Sequence, residues 1–85
     1  MVGKIVCSKA GRDKGKFMVV TKVNGNQIFV CDGKERPLSR PKLKNEKHLR
    51  FTNTTLEKEQ FLTDKKLRRA IAIYRCAAET QKEEK

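Results

Sequence analysis

Tryptophan is missing from this chain, tyrosine occurs once and phenylalanine four times, so aromatics make up only 6% of it. A peptide groove lined by aromatic rings, or a ladder of platforms for stacking single-stranded bases, needs more rings than a small core leaves over. Histidine also occurs once, as His48, between Lys47 and Leu49 and with no acidic residue beside it to orient it. The three cysteines, Cys7, Cys31 and Cys76, are odd in number, widely separated and without a CxxC pair. Structural zinc sites draw on closely spaced ligand pairs, so no metal is expected. Cysteines set among apolar residues act as small hydrophobes, and this usage fits a reducing cytoplasm. No apolar run approaches the ~18 residues of a membrane-spanning helix, and the N-terminus lacks an apolar leader core. The expectation is a cytoplasmic protein with no membrane association.

Catalytic chemistry is equally thin. Asp13 and Asp32 are the only aspartates of the first half, and aspartates in turns are usually structural. The cysteines have no evident adjacent base. The stretch Gly11-Arg12-Asp13-Lys14-Gly15-Lys16 superficially resembles a phosphate-binding loop, but it is one residue short of GxxxxGK[ST]. Phe17 stands where a hydroxyl would hold magnesium, and a strand is predicted where a helix is required. No enzyme, cofactor or small-molecule substrate is expected.

What the chain does have is positive charge. Its 85 residues carry 21 Lys and Arg against 10 Asp and Glu, a formal net charge of +11. Residues 1–50 hold 13 basic and 4 acidic residues, a net of 13 − 4 = +9, whereas residues 51–85 hold 8 and 6, a net of 8 − 6 = +2. An even solubility coat would spread the excess. A localised one marks a face for a polyanion, most commonly nucleic acid. The length predicts one domain with one modest core.

Along the chain, GKIVCS (3–8), KFMVVTKV (16–23) and QIFVCD (27–32) read as three strands rich in β-branched residues. Asn24-Gly25 predicts a type I′ turn between the second and third. Phe17, Val19, Thr21 and Val23 share one face of the second strand, which a small barrel would bury; Met18 and Val20 lie on the other, which the C-terminal helix would cover. Pro37 and Pro41 exclude a helix interior or a central strand from 34–50. That segment reads as a basic extended loop leading into a short strand near 47–51, anchored by Leu38, Leu43, Leu49 and Phe51. Thr54 and Glu57 have the spacing of a capping box for a short helical turn. A long helix is predicted from about Asp64 to about Gln81, with Thr63 as N-cap and Asp64 at the positive end of the dipole. Leu67, Ala70, Ile71, Tyr74, Ala77 and Ala78 form its apolar stripe, and Arg68, Arg69, Arg75 and Glu79 lie toward the other side. Residues 82–85 are expected to fray. The expected division is a barrel over 1–52, a helical segment over 53–81 and a tail over 82–85.

Three strands with a glycine loop and an Asn-Gly hairpin, followed by a basic loop, resemble the KOW motif, part of an SH3-like barrel of ribosomal proteins and transcription-elongation factors. Over nearly the whole chain, GKIVCSKAGRDKGKFMVV, KNEKHLRFTN and DKKLRRAI look like the small bacterial KOW-domain RNA-binding proteins. These are in turn similar to a KOW-containing large-subunit ribosomal protein of archaea and eukaryotes. The resemblance implies a mainly β fold, an SH3-like (KOW) small β-barrel with a C-terminal α-helix. It also implies RNA binding, with ribosomal RNA and the ribosome or ribosomal proteins as partners. Gly11 matches the KOW glycine, Lys9, Arg12 and Lys14 the basic positions of its loop, and Lys42, Lys44, Lys47 and His48 the basic segment. Glu46 departs from the pattern, standing where such segments are often apolar.

Physical reasons accompany the resemblance. A glycine takes positive φ without penalty and lets backbone approach a phosphate, so Gly11 suits a loop tip charged by Arg12 and Lys14. Asp13 in that loop is expected to form an Asx turn or to hold Arg12. The expected RNA-binding residues are Lys9, Gly11, Arg12, Lys14 and Lys16, then Lys34, Arg36, Arg40, Lys42, Lys44, Lys47, His48 and Arg50. Shape and phosphate recognition of folded RNA fits the few aromatics better than base stacking. The competing expectation is a protein-interaction module of the transcription or translation machinery.

Overall fold

Five strands pair antiparallel into one sheet, and a helix closes the chain. The computed structural model describes residues 1–83, with side chains as far as Ala77. The strands are β1 (Lys4–Ser8), β2 (Phe17–Asn24), β3 (Gln27–Cys31), β4 (Lys42–Asn45) and β5 (Leu49–Thr55). Two 3-10 turns, Glu46–His48 and Lys58–Phe61, precede and follow β5, and α1 spans Asp64–Glu83. The spatial order is β4-β3-β2-β1-β5. The outer strands β4 and β5 share no ladder, so the sheet is open where a closed barrel was expected.

Both faces of the sheet are buried, and the assignment of faces is the reverse of the sequence expectation. Ile5, Val19 and Cys31 pack with Leu56 and with Leu67, Ala70 and Ile71 of α1. Val6, Met18, Val20, Ile28, Val30 and Leu49 form a second cluster with no helix in it. All six belong to strands of the same sheet and are at most 4% exposed. A flat face without a covering layer would be open to water, so the sheet must coil over this side and cover itself. The helix therefore meets the Val19 side, not the Met18/Val20 side. Alternation says only that two faces exist; it does not say which one receives the helix.

The ladder between β2 and β3 explains why the four-residue face of β2 fails. Val20 pairs with Val30, but Lys22 pairs with Phe29, so Thr21 is an extra residue. Such a bulge reverses the parity of every later side chain. Val23 consequently stands opposite buried Ile28 and away from the Val19 face. Thr21 turns its hydroxyl to the Phe29 carbonyl at 3.3 Å.

The β2–β3 hairpin forms as expected, with its turn one residue later. Asn24 pairs with Gln27, leaving Gly25-Asn26 as the loop. Gly25 has φ +64° and no non-glycine residue has positive φ. Positive φ at the first central position alone is the type II′ arrangement, in place of type I′.

The Pro-containing segment is a loop through Pro41 and then an additional strand, β4. Lys47 and His48, expected within a strand near 47–51, belong instead to the 3-10 turn Glu46–His48, and β5 continues to Thr55, beyond the expected boundary at 52. Leu38 packs on the helix-side cluster and Phe51 on the other, but Leu43 is 47% exposed and anchors nothing. Thr54 lies inside β5; the following turn is instead closed by Gln60, whose Oε1 accepts from the Glu57 N–H at 2.8 Å.

The helix starts where its cap predicts. The Lys66 N–H donates to Thr63 Oγ1 at 3.2 Å. Asp64 Oδ1 accepts from the Leu38 N–H at 2.7 Å, tying the helix start to the loop before β4. Leu67, Ala70 and Ile71 are buried and Tyr74 is half-buried, its ring edge-on to Phe17 at 5.2 Å. Burial of a side chain such as Leu67 or Ile71 contributes about 2 kcal/mol. Ala77 is exposed, and Ala78 and Glu79 lie beyond the described side chains. The helix continues to Glu83, into the stretch expected to fray, whose last two positions lie outside the described residues. Among the described residues no helix is long and apolar enough to cross a membrane.

Candidate nucleic-acid interface

Strand β4 reads Lys42-Leu43-Lys44-Asn45, which suggests Leu inward and Lys outward. The register decides otherwise. Lys44 pairs with Ile28, whose side chain fills the helix-free face, while Leu43 pairs with Phe29 on the opposite side. Lys44 is thereby 8% exposed, and its ammonium meets a prepared site. Nζ donates to Asp13 Oδ1 at 2.8 Å, to the Ala10 carbonyl at 2.8 Å and to Ser8 Oγ at 2.9 Å. An ammonium has three donors, so all are engaged.

Asp13 is the other half of this clasp. It is buried, with Ser8 Oγ 3.0 Å from Oδ1 and Lys42 Nζ 3.4 Å from Oδ2. Burial alone would push its carboxyl up. The hydrogen bonds from Lys44 and Ser8 and the charges of Lys44 and Lys42 outweigh that and lower the pKa from 3.8 to about 2. Asp13 therefore does not orient Arg12. It fastens the 9–16 loop to β4. Ser8, buried at the end of β1, was not picked out from the sequence; the only signal was a lone acid inside a strongly basic stretch.

Two further contacts bring the expected segments together. The Lys9 N–H donates to the His48 carbonyl at 2.8 Å. Lys16 Nζ bonds Glu35 Oε1, and that hydrogen bond raises the Lys16 pKa. Arg12, Lys16, Arg36 and Lys42 consequently surround one depression with Asp13 and Glu35. Lys9, Gly11, Arg12, Lys14, Lys16, Arg36, Lys47 and His48 are exposed, and Lys42 is half-buried. Gly11 has φ +82°, as its place in the loop requires.

The remaining expected contacts are placed differently. Lys44 is a correction: its buried, fully bonded ammonium has no donor left for a phosphate. Arg40 is exposed at the turn closed by its own N–H on the Pro37 carbonyl, and Arg50 is exposed opposite Cys7 in the β1–β5 ladder. Neither has a bond to the 9–16 loop. Lys34 faces a different groove, beside α1. Glu46 needs no apolar substitute, since it is exposed at the start of a 3-10 turn capped by Asn45 Oδ1, which accepts from the Lys47 N–H at 3.1 Å.

The turn after β3 is built by Asp32, whose Oδ1 accepts from the N–H groups of Lys34 at 2.8 Å and Arg36 at 2.9 Å. Cys7 and Cys31 are buried in the cores, and burial pushes the Cys31 thiol up. Cys76 is exposed on α1, outside the apolar setting expected for it. Among the described residues, no three His, Cys, Asp or Glu side chains are grouped so as to hold a metal ion.

No protein-family model matches this chain, and a search of the curated proteins finds no match.

Proposed function

We propose that this chain is a non-catalytic RNA-binding module that docks on structured RNA, ribosomal RNA foremost. The observation that carries the reading is the convergence of the 9–16 loop with β4 and the 35–36 and 47–48 positions, through the Asp13–Lys44 clasp and the Lys9–His48 bond. We read the exposed Arg12, Lys14, Arg36 and Lys47 as parts of one basic surface built on that convergence. Such a surface suits phosphates. The glycine-bracketed loop and the basic segment that resemble the KOW family are the parts that form it. We read the coiled five-stranded sheet as an SH3-like barrel left open between its edge strands.

A salt titration tests the proposal. With about 4–6 phosphates neutralised, log K falls against log salt with a slope of about −3 to −5. Arg12→Ala weakens binding to an rRNA fragment and flattens the slope by about one. Affinity that ignores salt overturns the reading and brings forward a protein partner for the same surface.

A further inference from the structure

The helix α1 carries a basic flank that the surface above does not use. Arg68 and Arg75 lie two turns apart on one side of the helix. Together with Lys34 and Lys16 they line a groove between α1 and the turn that follows β3. We infer that this groove is a second phosphate-contacting arm of the RNA surface, with Lys34 and Arg75 as its contacts and Arg68 as the residue that positions Lys34. The inference rests on the RNA-binding reading and extends its footprint onto the helix.

Three observations carry it. The first is how tightly the turn is docked. Gly33 has φ +80°, and a Cβ there would sit 2.5 Å from the Asp64 carbonyl oxygen and 3.2 Å from Arg68 Cγ. Only a residue without a side chain lets the turn approach so closely. Arg68 Nη1 then donates to the Gly33 carbonyl at 3.1 Å. Lys34, the next residue, is held beside the helix as a consequence.

The second observation is that the acids of the groove are already engaged. Asp32 accepts the N–H groups of Lys34 and Arg36, and Glu35 is bonded to Lys16. Among the described residues, no carboxylate lies within salt-bridge reach of Lys34, Arg68 or Arg75. The groove lining carries four basic side chains, Lys16, Lys34, Arg68 and Arg75, against two acidic ones, Asp32 and Glu35, a net of 4 − 2 = +2, which favours a polyanion as the occupant.

The third is continuity. Lys16 lines both this groove and the depression around Arg12 and Lys42. A phosphodiester backbone leaving the first surface reaches the second by way of Lys16, whose ammonium is shared with Glu35.

The test uses the full chain, isotope-labelled, and a defined RNA stem-loop as probe. On titration, amide signals of Lys34, Ala72 and Arg75 should shift, while that of Lys66, on the opposite flank of α1, stays still. Arg75→Ala and Lys34→Ala should each weaken binding about three- to tenfold at low salt and flatten the salt slope by about one, with unchanged melting temperature. Lys66→Ala should do neither. Arg68→Lys keeps the charge but replaces the guanidinium fork, so it should weaken binding while moving the Lys34 amide in the free protein. If Arg12→Ala weakens binding but Arg75→Ala and Lys34→Ala do not, the second arm is overturned and the RNA reading stands. If the unmodified protein shows no salt-dependent binding to the stem-loop, both fall. If polyglutamate shifts Lys34 and Arg75 as strongly as RNA, the groove takes an acidic protein and the inference is overturned.

Discussion

The ammonium of Lys44 lies 2.8 Å from Oδ1 of Asp13, a residue 31 positions earlier in the chain. A charged pair sits at the edge of an apolar face built from Val6, Met18, Val20, Ile28, Val30 and Leu49. Replacing such a pair with apolar residues is often neutral, whereas removing one partner strands the other without compensation. Lys44→Ala should therefore lower stability by about 3 kcal/mol, read from urea unfolding. Lys14→Ala, at an exposed position of the same loop, should change it by less than about 0.5 kcal/mol. Equal small effects would mean that the clasp does not hold the loop.

Binding should separate these residues in another way. Arg12→Ala should reduce RNA affinity without altering the melting temperature. Lys44→Ala should reduce both together, because its effect passes through the shape of the 9–16 loop. Paired binding and melting measurements on the two variants distinguish a contact from a support.

Acid should loosen the clasp in a defined window. The Asp13 pKa is depressed in the folded state, to about 2 from 3.8. The unfolded chain thus binds the proton more readily, and the stabilisation is fully present above pH ~4 and lost as pH falls toward ~2. Its size is about 2 kcal/mol. The stability difference between the natural protein and Asp13→Asn should shrink across that window. A difference that stays constant from pH 6 to pH 2 would remove Asp13 from the account.

The helix face makes a sharper claim. Ile71 is 7% exposed and Ile73, two residues on, is 64% exposed. Ile71→Asp should destabilise the fold by several kcal/mol through an unpaired buried charge, and Ile73→Asp should stay within about 0.5 kcal/mol. Thermal melts of the two variants side by side decide whether α1 packs as described.

Glycine positions separate backbone strain from crowding. Gly25 and Gly33 both have positive φ, but a Cβ at Gly25 meets nothing within 4 Å. Gly25→Ala should cost about 1 kcal/mol, the strain alone. Gly33→Ala should cost about 3 kcal/mol or more, since it also pushes the turn off α1. Similar melting temperatures for the two variants would show that the turn is not docked on the helix.

Several features were legible because they are local. The three β-branched runs, the Asn-Gly hairpin, Thr63 as helix cap and the Leu67/Ala70/Ile71/Tyr74 stripe each depend on residues within a few positions of one another. The strand β4 was missed because four residues between prolines and charges carry little periodic signal. The exposure of Leu43 and the burial of Lys44 contradict hydropathy outright. They follow from the register of β4 on β3 and from a carboxylate that a distant loop delivers.

The sequence by itself determined that this is one small, mainly β chain with a C-terminal helix and a first half carrying most of the positive charge. Short-range spacing and composition suffice for that. Tertiary structure decided which face of β2 meets the helix, that Thr21 reverses the parity of β2, and that the sheet stays open between β4 and β5. It also decided that Lys44 is a support while Arg12 and Lys14 stay exposed. Strand alternation is symmetric between two faces and silent about long-range partners. Only the packing of Ile5 and Val19 against Leu67, and of Lys44 against Asp13, breaks that symmetry.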